Sequence, residues 1–181
     1  EEPRQDRARV TVEALLDATA KVLVDEGYEG ASTNKIAAKA GVSVGSLYQY
    51  FDGKEQLVRA VGERHHAQLM EVLAKSGESV ADKPLEQLVE DIVGAMLDAH
   101  AVDPALHRVL TEQIPQSIIM KRVEEDGAAF VRAMLDVHKR KIRRDINVDV
   151  AVFVLVHAVE GVTHAAVIEH PEMLRTKAMK K

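Results

Sequence analysis

The sequence predicts an all-α protein, and three observations lead to that fold class. Runs such as 12–27 and 84–100 repeat apolar residues at spacings of three and four, which is the period of an amphipathic helix. Only five prolines and ten glycines interrupt the 181 residues, whereas 46% of the residues are apolar. The most strand-like stretch, 148–159, is apolar on nearly all sides, which indicates a helix buried on both faces. We therefore expect long helices around a substantial hydrophobic core.

Capping residues and helix breakers divide the chain into successive helices. Gly27 is a typical C-terminal stop, while Pro84 and Pro104 fit the first turns of later helices. Because short elements precede long ones, we predict an N-terminal three-helix domain at 1–53 and a larger helical bundle at 54–181. In chain order, helices are expected at 7–26, twice within 33–51, and then at 54–75, 84–101, 104–114, 116–141 and 148–169.

Composition excludes several classes of protein. The chain has no cysteine, which rules out disulfides and thiolate metal sites. Its longest apolar run, 150–158 with His157 inside it, is shorter than the roughly 18 residues that span a bilayer, and the charged N-terminus has no signal-peptide core. We therefore expect a cytoplasmic protein without membrane contact.

The net charge is −5, and residues 1–60 carry eight basic and ten acidic side chains, a net of −2. Since DNA-binding domains are usually basic, any case for DNA depends on local geometry.

The stretch 34–51, NKIAAKAGVSVGSLYQYF, differs from the rest of the chain in its glycines, serines and tyrosines. Gly41 suits a turn with positive φ, which glycine adopts without steric cost, and Ser43 is a good N-cap for the helix that follows. On that helix Leu47 and Phe51 lie four residues apart and share one buried face. The pattern predicts two short helices joined by a tight turn.

The opposite face of the second short helix is uncharged, which is unusual for a solvated surface. It presents Gly45, Ser46 and Gln49, flanked by Tyr48 and Tyr50. A bare backbone, a hydroxyl, an amide and two phenols suit contact with another molecule through hydrogen bonds and van der Waals area. Two short helices joined by a glycine turn are the helix-turn-helix unit, whose second helix enters the DNA major groove.

The order of these elements, and the string TNKIAAKAGVSVGSLYQYFDGKEQL at 33–57, closely resemble the N-terminal domain of the TetR family of bacterial transcriptional regulators. Lys54 stands at the predicted N-terminus of the next helix. Its ammonium and the free N–H groups of that helix end both attract an anion. Either Ser32 or Thr33 can cap the first short helix, and we assign the cap to Thr33. The resemblance implies that phosphates are contacted by Thr33, Tyr48, Tyr50 and Lys54, and that bases are faced by Val44, Gly45, Ser46 and Gln49.

For the rest of the chain, the same resemblance implies a ligand-binding and dimerisation domain. The function it implies is a ligand-responsive regulator, a repressor that binds a palindromic operator in double-stranded DNA as a homodimer and is released by a small molecule. Only Phe130 and Phe153 are aromatic after residue 51, so a largely apolar, aliphatic or acyl-type effector fits best. The candidate pocket residues interrupt aliphatic helices with softer or polar groups, and they are Met96, His100, Met120, Phe130, Met134 and Phe153.

Other interpretations stay open. A methionine or phenylalanine at helical spacing is more often plain core than a ligand contact. His157, Glu160 and His164 share a helix face at a spacing that can hold Zn²⁺, so the alternative function is an α-helical bundle enzyme or carrier with a His/Glu metal site. The tyrosine face also suits a helical adaptor that binds a protein. Because the sequence has no H-E-x-x-H, no nucleophile–base pair and no Gly-rich phosphate loop, we predict no enzymatic activity, no metal and no cofactor.

Overall fold

A computed structural model describes residues 2–76, 83–138 and 145–170 of the chain, except for the side chains at 2–5, 76, 85, 88, 116–117 and 119–125. Every regular element in these ranges is helical, which confirms the predicted all-α fold class. In chain order the helices are α1 Glu2–Gly30, α2 Thr33–Ala40, α3 Val44–Tyr48, α4 Lys54–Ser76, α5 Leu85–His100, α6 Pro104–Glu112, α7 Gln116–Val137 and α8 Val148–His164, which continues as a π-helical turn at Ala165–Glu169.

The chain divides into two compact units. The first comprises Glu1–His65 and Ala105–Ile119, and the second comprises His66–Pro104 and Met120–Lys181. The first unit extends beyond residue 53, where the DNA-binding domain is predicted to end, because the first turns of α4 bury their apolar side chains in the same core as α1–α3. The functional boundary between residues 53 and 54 stays a prediction.

The core of the first unit forms on the inner face of α1. The helical period predicts one inward face of α1, and the five residues on it are all buried: Leu15, Ala18, Thr19, Val22 and Leu23. The hydroxyl of Thr19 is satisfied inside this core, since its Oγ1 donates to the Leu15 carbonyl at 2.7 Å. The buried set is Leu15, Leu16, Ala18, Val22, Leu23, Ala31, Ile36, Ala37, Leu47, Phe51, Leu57, Val58, Val61, Leu106, Val109, Leu110 and Ile114.

Gly27 interrupts α1 near its C-terminus, close to the stop that the sequence predicts. Its φ of 72° and ψ of 178° lie outside the helical region, and a short helical segment continues beyond it to Gly30. The Ala31 amide donates to the Gly27 carbonyl at 3.2 Å and closes this segment. Only glycine adopts such a positive φ without steric cost.

The second unit has a smaller core of its own. Ile92 from α5, Met134 and Leu135 from α7, and Val152 from α8 are buried together. Half-buried apolar side chains surround them, including those of Met96, Phe130, Val131, Val148 and Val156. The start of α8 is fixed by Asn147, whose side-chain oxygen accepts the amides of Asp149 and Val150 at 3.0 and 3.2 Å.

The outer face of α8 is apolar and exposed in the single chain. Val150, Phe153, Val154 and Val162 are each more than half exposed. Among the described residues, Val148–Glu169 is also the one helical segment long and apolar enough to cross a membrane by length and composition. Such a criterion is also met by helices buried in cores or interfaces, so it is weak evidence for a membrane span.

The turn glycine Gly41 offers a clean test of the backbone requirement. An added Cβ meets no atom within 4 Å at Gly41 or at Gly94, but only Gly41 has a positive φ, of 71°. We expect Gly41→Ala to lower the free energy of unfolding by about 1–2 kcal/mol, whereas Gly94→Ala in α5 raises it by about 0.5–1 kcal/mol. Urea denaturation of both variants checks this, and equal effects would contradict the role of φ.

Candidate nucleic-acid interface

The turn between α2 and α3 is built as the sequence predicts, with one correction. Gly41 ends α2 at φ 71° and ψ 27°, and the next amide, that of Val42, donates to the Ala37 carbonyl at 3.0 Å. This is the Schellman arrangement that glycine permits at a helix end. The prediction that Thr33 caps α2 is wrong. Ser32 is the N-cap because its backbone is extended and its Oγ accepts the Lys35 amide, and Thr33 is the first residue of the helix.

Ser43 caps α3, as predicted. Its Oγ accepts the Ser46 amide at 3.0 Å and lies 2.8 Å from the Ser46 hydroxyl. Leu47 is completely buried and Phe51 nearly so, which confirms the predicted inner face. The regular helix is only five residues long and ends at Tyr48, but the amides of Tyr50 and Phe51 both bond to the Leu47 carbonyl at 3.0 Å and prolong the turn.

The outward face of α3 carries three of the four residues predicted to face bases. Gly45 and Gln49 are exposed and Ser46 is half-buried, whereas Val44 is half-buried and packs against the core of the first unit. A Cβ added to Gly45 would lie 3.8 Å from its nearest neighbour, Ser43 Oγ, which is ordinary van der Waals contact. The fold itself therefore does not require glycine at this position. A glycine that the fold does not need leaves its backbone open to close approach by another molecule.

Two of the predicted phosphate-contacting side chains meet at the junction of α2 and α3. The hydroxyls of Thr33 and Tyr48 lie 3.4 Å apart, and the Tyr48 side chain is 53% exposed. Tyr50, by contrast, is half-buried and packs against the core of the first unit. The hydroxyls of Thr33 and Tyr48 thus form one polar patch on the surface of the first unit, next to the exposed backbone of α3.

Lys54, the remaining predicted phosphate contact, is held by a residue that the sequence did not single out. Its Nζ donates to the Tyr28 carbonyl at 3.0 Å and lies 4.1 Å from the centroid of the Tyr28 ring. Burial raises the pKa of the Tyr28 phenol, and the carboxylates of Glu55 and Glu29 raise it further. Lys54 is part-buried, and its ammonium has three N–H donors, so the bond to Tyr28 leaves donors for another acceptor.

The predicted pocket residues of the second unit divide into three groups. Met134 is buried in the small core, and Met96 and Phe130 pack against it. His100 is also buried, and its Nδ1 lies 2.7 Å from the Met96 carbonyl. Met120 lies on α7 outside the described side chains. Phe153 is 64% exposed and is not among the side chains packed in or against the small core, so its place in a pocket stays a prediction.

The histidines of the alternative metal face contact different neighbours. The His157 ring packs edge-on against Phe153 at a centroid distance of 4.4 Å, on the exposed side of α8. The His164 ring instead lies edge-on to His100, at 5.3 Å. Burial lowers the pKa of His164, and the Glu160 carboxylate opposes that shift. The two imidazoles therefore occupy separate environments, although they share a helix.

Two segments of the chain match described protein families. Residues 15–61 match "Bacterial regulatory proteins, tetR family", and residues 84–181, more than half of the chain, match "Tetracyclin repressor-like, C-terminal domain". The chain belongs to the TetR family. It is a ligand-responsive, DNA-binding transcriptional regulator, and the resemblance seen in the string at 33–57 is confirmed.

Relatives of this TetR-family chain are transcriptional regulators. The uncharacterized HTH-type transcriptional regulator TtgW of Pseudomonas putida is 31% identical over 122 residues, which cover 66% of this chain and 81% of that protein. Matches to a further P. putida regulator and to a Mycolicibacterium smegmatis activator cover only 51% and 58% of those proteins. The chain thus spans most of one relative and little more than half of the others.

Solved structures share the fold at low sequence identity. The fatty acid degradation regulator FadR from Bacillus halodurans superposes with a TM-score of 0.76 at 18% identity, covering 93% of this chain and 92% of that one. FadR from Bacillus subtilis, solved in complex with stearoyl-CoA, has a TM-score of 0.69 at 16% identity, with 93% and 91% of the chains covered. These similarities show that the chain shares the fold of those structures.

The burial of His164 predicts a pH-dependent stability. Its pKa is lowered from 6.5 in the folded state, so the unfolded state binds more protons once the pH drops below that value. The free energy of unfolding should therefore fall as the pH drops from about 6.5 through the lower folded-state pKa. His164→Gln should reduce this loss, as urea denaturation across the range would show.

If His164→Gln keeps the full loss of stability below about pH 6.5, then burial of His164 does not contribute to the acid sensitivity.

Proposed function

We propose that the chain is a homodimeric repressor that binds a palindromic operator and is released by a small, largely apolar molecule. The observation that carries this proposal is the outward face of α3. There a glycine that the fold does not need, the exposed side-chain amide of Gln49 and the exposed phenol of Tyr48 follow the Schellman turn, and the Tyr48 hydroxyl lies beside that of Thr33. A repressor of this kind acts on chromosomal DNA, so we place it in the cytoplasm.

The DNA contacts divide into positioning and reading groups. Phosphates accept hydrogen bonds from the neighbouring hydroxyls of Thr33 and Tyr48 and from Lys54, with a smaller part for the half-buried Tyr50. Such contacts fix orientation but carry no sequence information. Reading is assigned to the α3 face, where Gln49 can bond both the N6 and N7 atoms of adenine. Val44 suits a thymine methyl, and the bare backbone of Gly45 allows the helix to approach closely.

The Ser46 hydroxyl keeps some capacity for a base contact. It lies 2.8 Å from Ser43 Oγ, and only one of two hydroxyls in such a pair donates to the other. One hydroxyl proton of the pair is therefore left for a base or a phosphate. Because the face has no arginine, part of the sequence preference has to come from thymine-methyl contacts and from DNA shape.

The exposed apolar face of α8 supports the homodimer. Val150, Phe153 and Val154 lie on one face of the first turns of α8, Val162 is exposed two turns further on, and exposed apolar surface of this kind marks protein interfaces. A two-fold dimer brings the same surface of two chains together. It also presents two α3 helices to half-sites about one helical turn apart, roughly 34–36 Å, which is why the operator is proposed to be palindromic.

The effector is proposed to be aliphatic, and an acyl chain is the simplest example. Met96, Phe130 and Met134 provide flexible or flat apolar surface around the small core of the second unit. The His100 ring, hydrogen-bonded to the Met96 carbonyl, adds a polar group beside them. Stearoyl-CoA, present in the B. subtilis FadR structure, is therefore a suitable first probe.

The competing proposal, a metal-dependent enzyme or carrier, has less support. It requires His157, Glu160 and His164 to converge, whereas the two imidazoles pack against Phe153 and His100 respectively. We accordingly propose a regulator without catalytic activity, resident metal or cofactor. Metal analysis of the purified protein tests the competing view.

Gly45→Ala is the sharpest test of the reading face. The free energy of unfolding should not fall, because the Cβ has room and the backbone is helical. Binding is measured with a DNA duplex that the wild type has selected from a random pool. The free energy of binding should become less favourable by about 1–3 kcal/mol, the usual cost of overpacking a close contact. Fluorescence anisotropy measures the affinity. Gly94→Ala, in open space on α5, is the control and should bind as the wild type does. Unchanged affinity in Gly45→Ala would contradict the assignment of α3.

Phe153→Glu tests the dimer. The ring is exposed in the single chain, so the variant should stay folded. Its dimer should dissociate at least about tenfold more readily, because burying a phenylalanine contributes about 1.5–3 kcal/mol and a carboxylate cannot replace it. Sedimentation velocity over a dilution series gives the dissociation constant. The control is Val10→Glu, at an equally exposed residue of α1. A dimer that resists Phe153→Glu would place the interface elsewhere.

A further inference from the structure

Gln113, just beyond the end of α6, makes a long-range contact with the end of α1. Its Oε1 accepts the backbone N–H of Tyr28 at 3.1 Å, across 85 residues of sequence. Both residues belong to the first unit. No local sequence pattern predicts this contact, because Gln113 is one exposed polar side chain in a polar stretch.

The contact depends on the break in α1 at Gly27. A Cβ at Gly27 would lie 2.6 Å from Gln113 Oε1, which is closer than Cβ atoms come to any nonbonded heavy atom in real proteins. The positive φ of Gly27 takes the chain out of the helix just before Tyr28. Glycine at this position therefore provides both the backbone conformation and the room for the Gln113 side chain to reach the Tyr28 amide.

Tyr28 contacts both Gln113 and Lys54, through its backbone and its ring. Its N–H is accepted by Gln113, its carbonyl accepts Lys54 Nζ at 3.0 Å, and its ring lies under the same ammonium at 4.1 Å. A lysine side chain is long and flexible, so a carbonyl and a ring at these distances restrict where its ammonium can lie. The ammonium still has donors left for a phosphate oxygen.

We propose that Gln113 is a positioning residue for DNA binding, which acts through Tyr28 to hold Lys54 ready for a phosphate. This proposal rests on the proposed role of Lys54 as a phosphate contact. With Gln113 in place, the peptide on either side of Tyr28 is fixed, and the Lys54 ammonium loses less freedom when it meets DNA. Without Gln113, the carbonyl and the ring can move, and binding has to fix them together with the lysine.

The effect of Gln113 on the fold itself should be small. The segment that carries it is anchored by Leu106, Val109, Leu110 and Ile114, which are all buried in the core of the first unit. The Tyr28–Gln113 hydrogen bond is exposed, where water replaces a lost partner readily. A loss of DNA affinity in Gln113→Ala is therefore not the consequence of a general loss of structure.

A double-mutant cycle between Gln113 and Lys54 tests the proposal. Wild type, Gln113→Ala, Lys54→Ala and the double variant are titrated against one duplex, selected by the wild type from a random pool, at several salt concentrations. Gln113→Ala should weaken binding roughly three- to tenfold in the wild-type background, the size of one ordinary hydrogen bond. In the Lys54→Ala background it should weaken binding by less than about twofold, since the residue it positions is absent.

Two further variants make the cycle specific. Gln113→Met keeps most of the length and bulk of the side chain but removes the oxygen acceptor for the Tyr28 amide, so it should lose as much affinity as Gln113→Ala, which a loss of bulk would not predict. Gln68→Ala removes an exposed glutamine from α4 and should bind as the wild type does. Circular dichroism and thermal unfolding confirm that every variant is folded.

Salt dependence separates the possible failures. Lys54→Ala should lower the slope of log affinity against log salt by about 0.9 per subunit. If Lys54→Ala binds normally, the positioning proposal is overturned while DNA binding through α3 stands. If the losses from Gln113→Ala and Lys54→Ala simply add, or Gln113→Ala loses nothing, the proposal is overturned as well. A folded wild type that selects no duplex at all would instead contradict the proposed function.

Discussion

Burial of Leu47 and Phe51 is the interaction on which the rest of the first unit depends. A regular helix of five residues is far too short to be stable by itself in water, and α3 has no ion pair or long side-chain ladder among its described residues to compensate. Its position is set by two apolar side chains inserted into the core formed by α1, α2, α4 and α6. Whatever α3 presents outward is therefore positioned by what it presents inward.

Ion pairs between α2 and α1 engage the basic side chains of α2. Lys35 pairs with Glu26, and Lys39 pairs with Asp25 at 3.0 Å, so the basic side chains of α2 are engaged with α1. Exposed pairs of this kind add little stability. These two lysines are thus engaged within the unit, and the α3 face itself carries hydroxyls, an amide and a bare backbone. The proposed contacts to DNA therefore rely on hydrogen bonding and close approach more than on net charge, in agreement with the acidic balance of residues 1–60.

Helix α8 shows how one helix can serve two surfaces. Val152 and Thr163 are buried within the chain, whereas Val150, Phe153 and Val162 face outward. The same helix carries a half-buried imidazole at His164 and an exposed one at His157. Its nearly uniform apolar composition, which resembles a membrane span by length and hydropathy, is explained by a core on one side and a proposed partner chain on the other.

The sequence by itself determined the features that depend on near neighbours along the chain. The helical period located the inner face of α1, glycine chemistry located the turn at Gly41, and a serine before a short helix located the cap at Ser43. Each depends on backbone sterics or on side chains within four residues, so a local pattern is sufficient to predict it. The face of α3 followed directly from that register.

Only the tertiary structure decided the features that depend on distant parts of the chain. Ser32 rather than Thr33 caps α2, because the approach of the chain from α1 sets which of two adequate residues has extended backbone. The exposure of Phe153 could not be predicted, because the nearly uniform apolar composition of α8 does not reveal which side of the helix meets the core. The contact of Gln113 with Tyr28, and of Tyr28 with Lys54, joins positions 85 and 26 residues apart. Spacings of that length carry no periodic signal, so such contacts exist only once the core has brought the segments together.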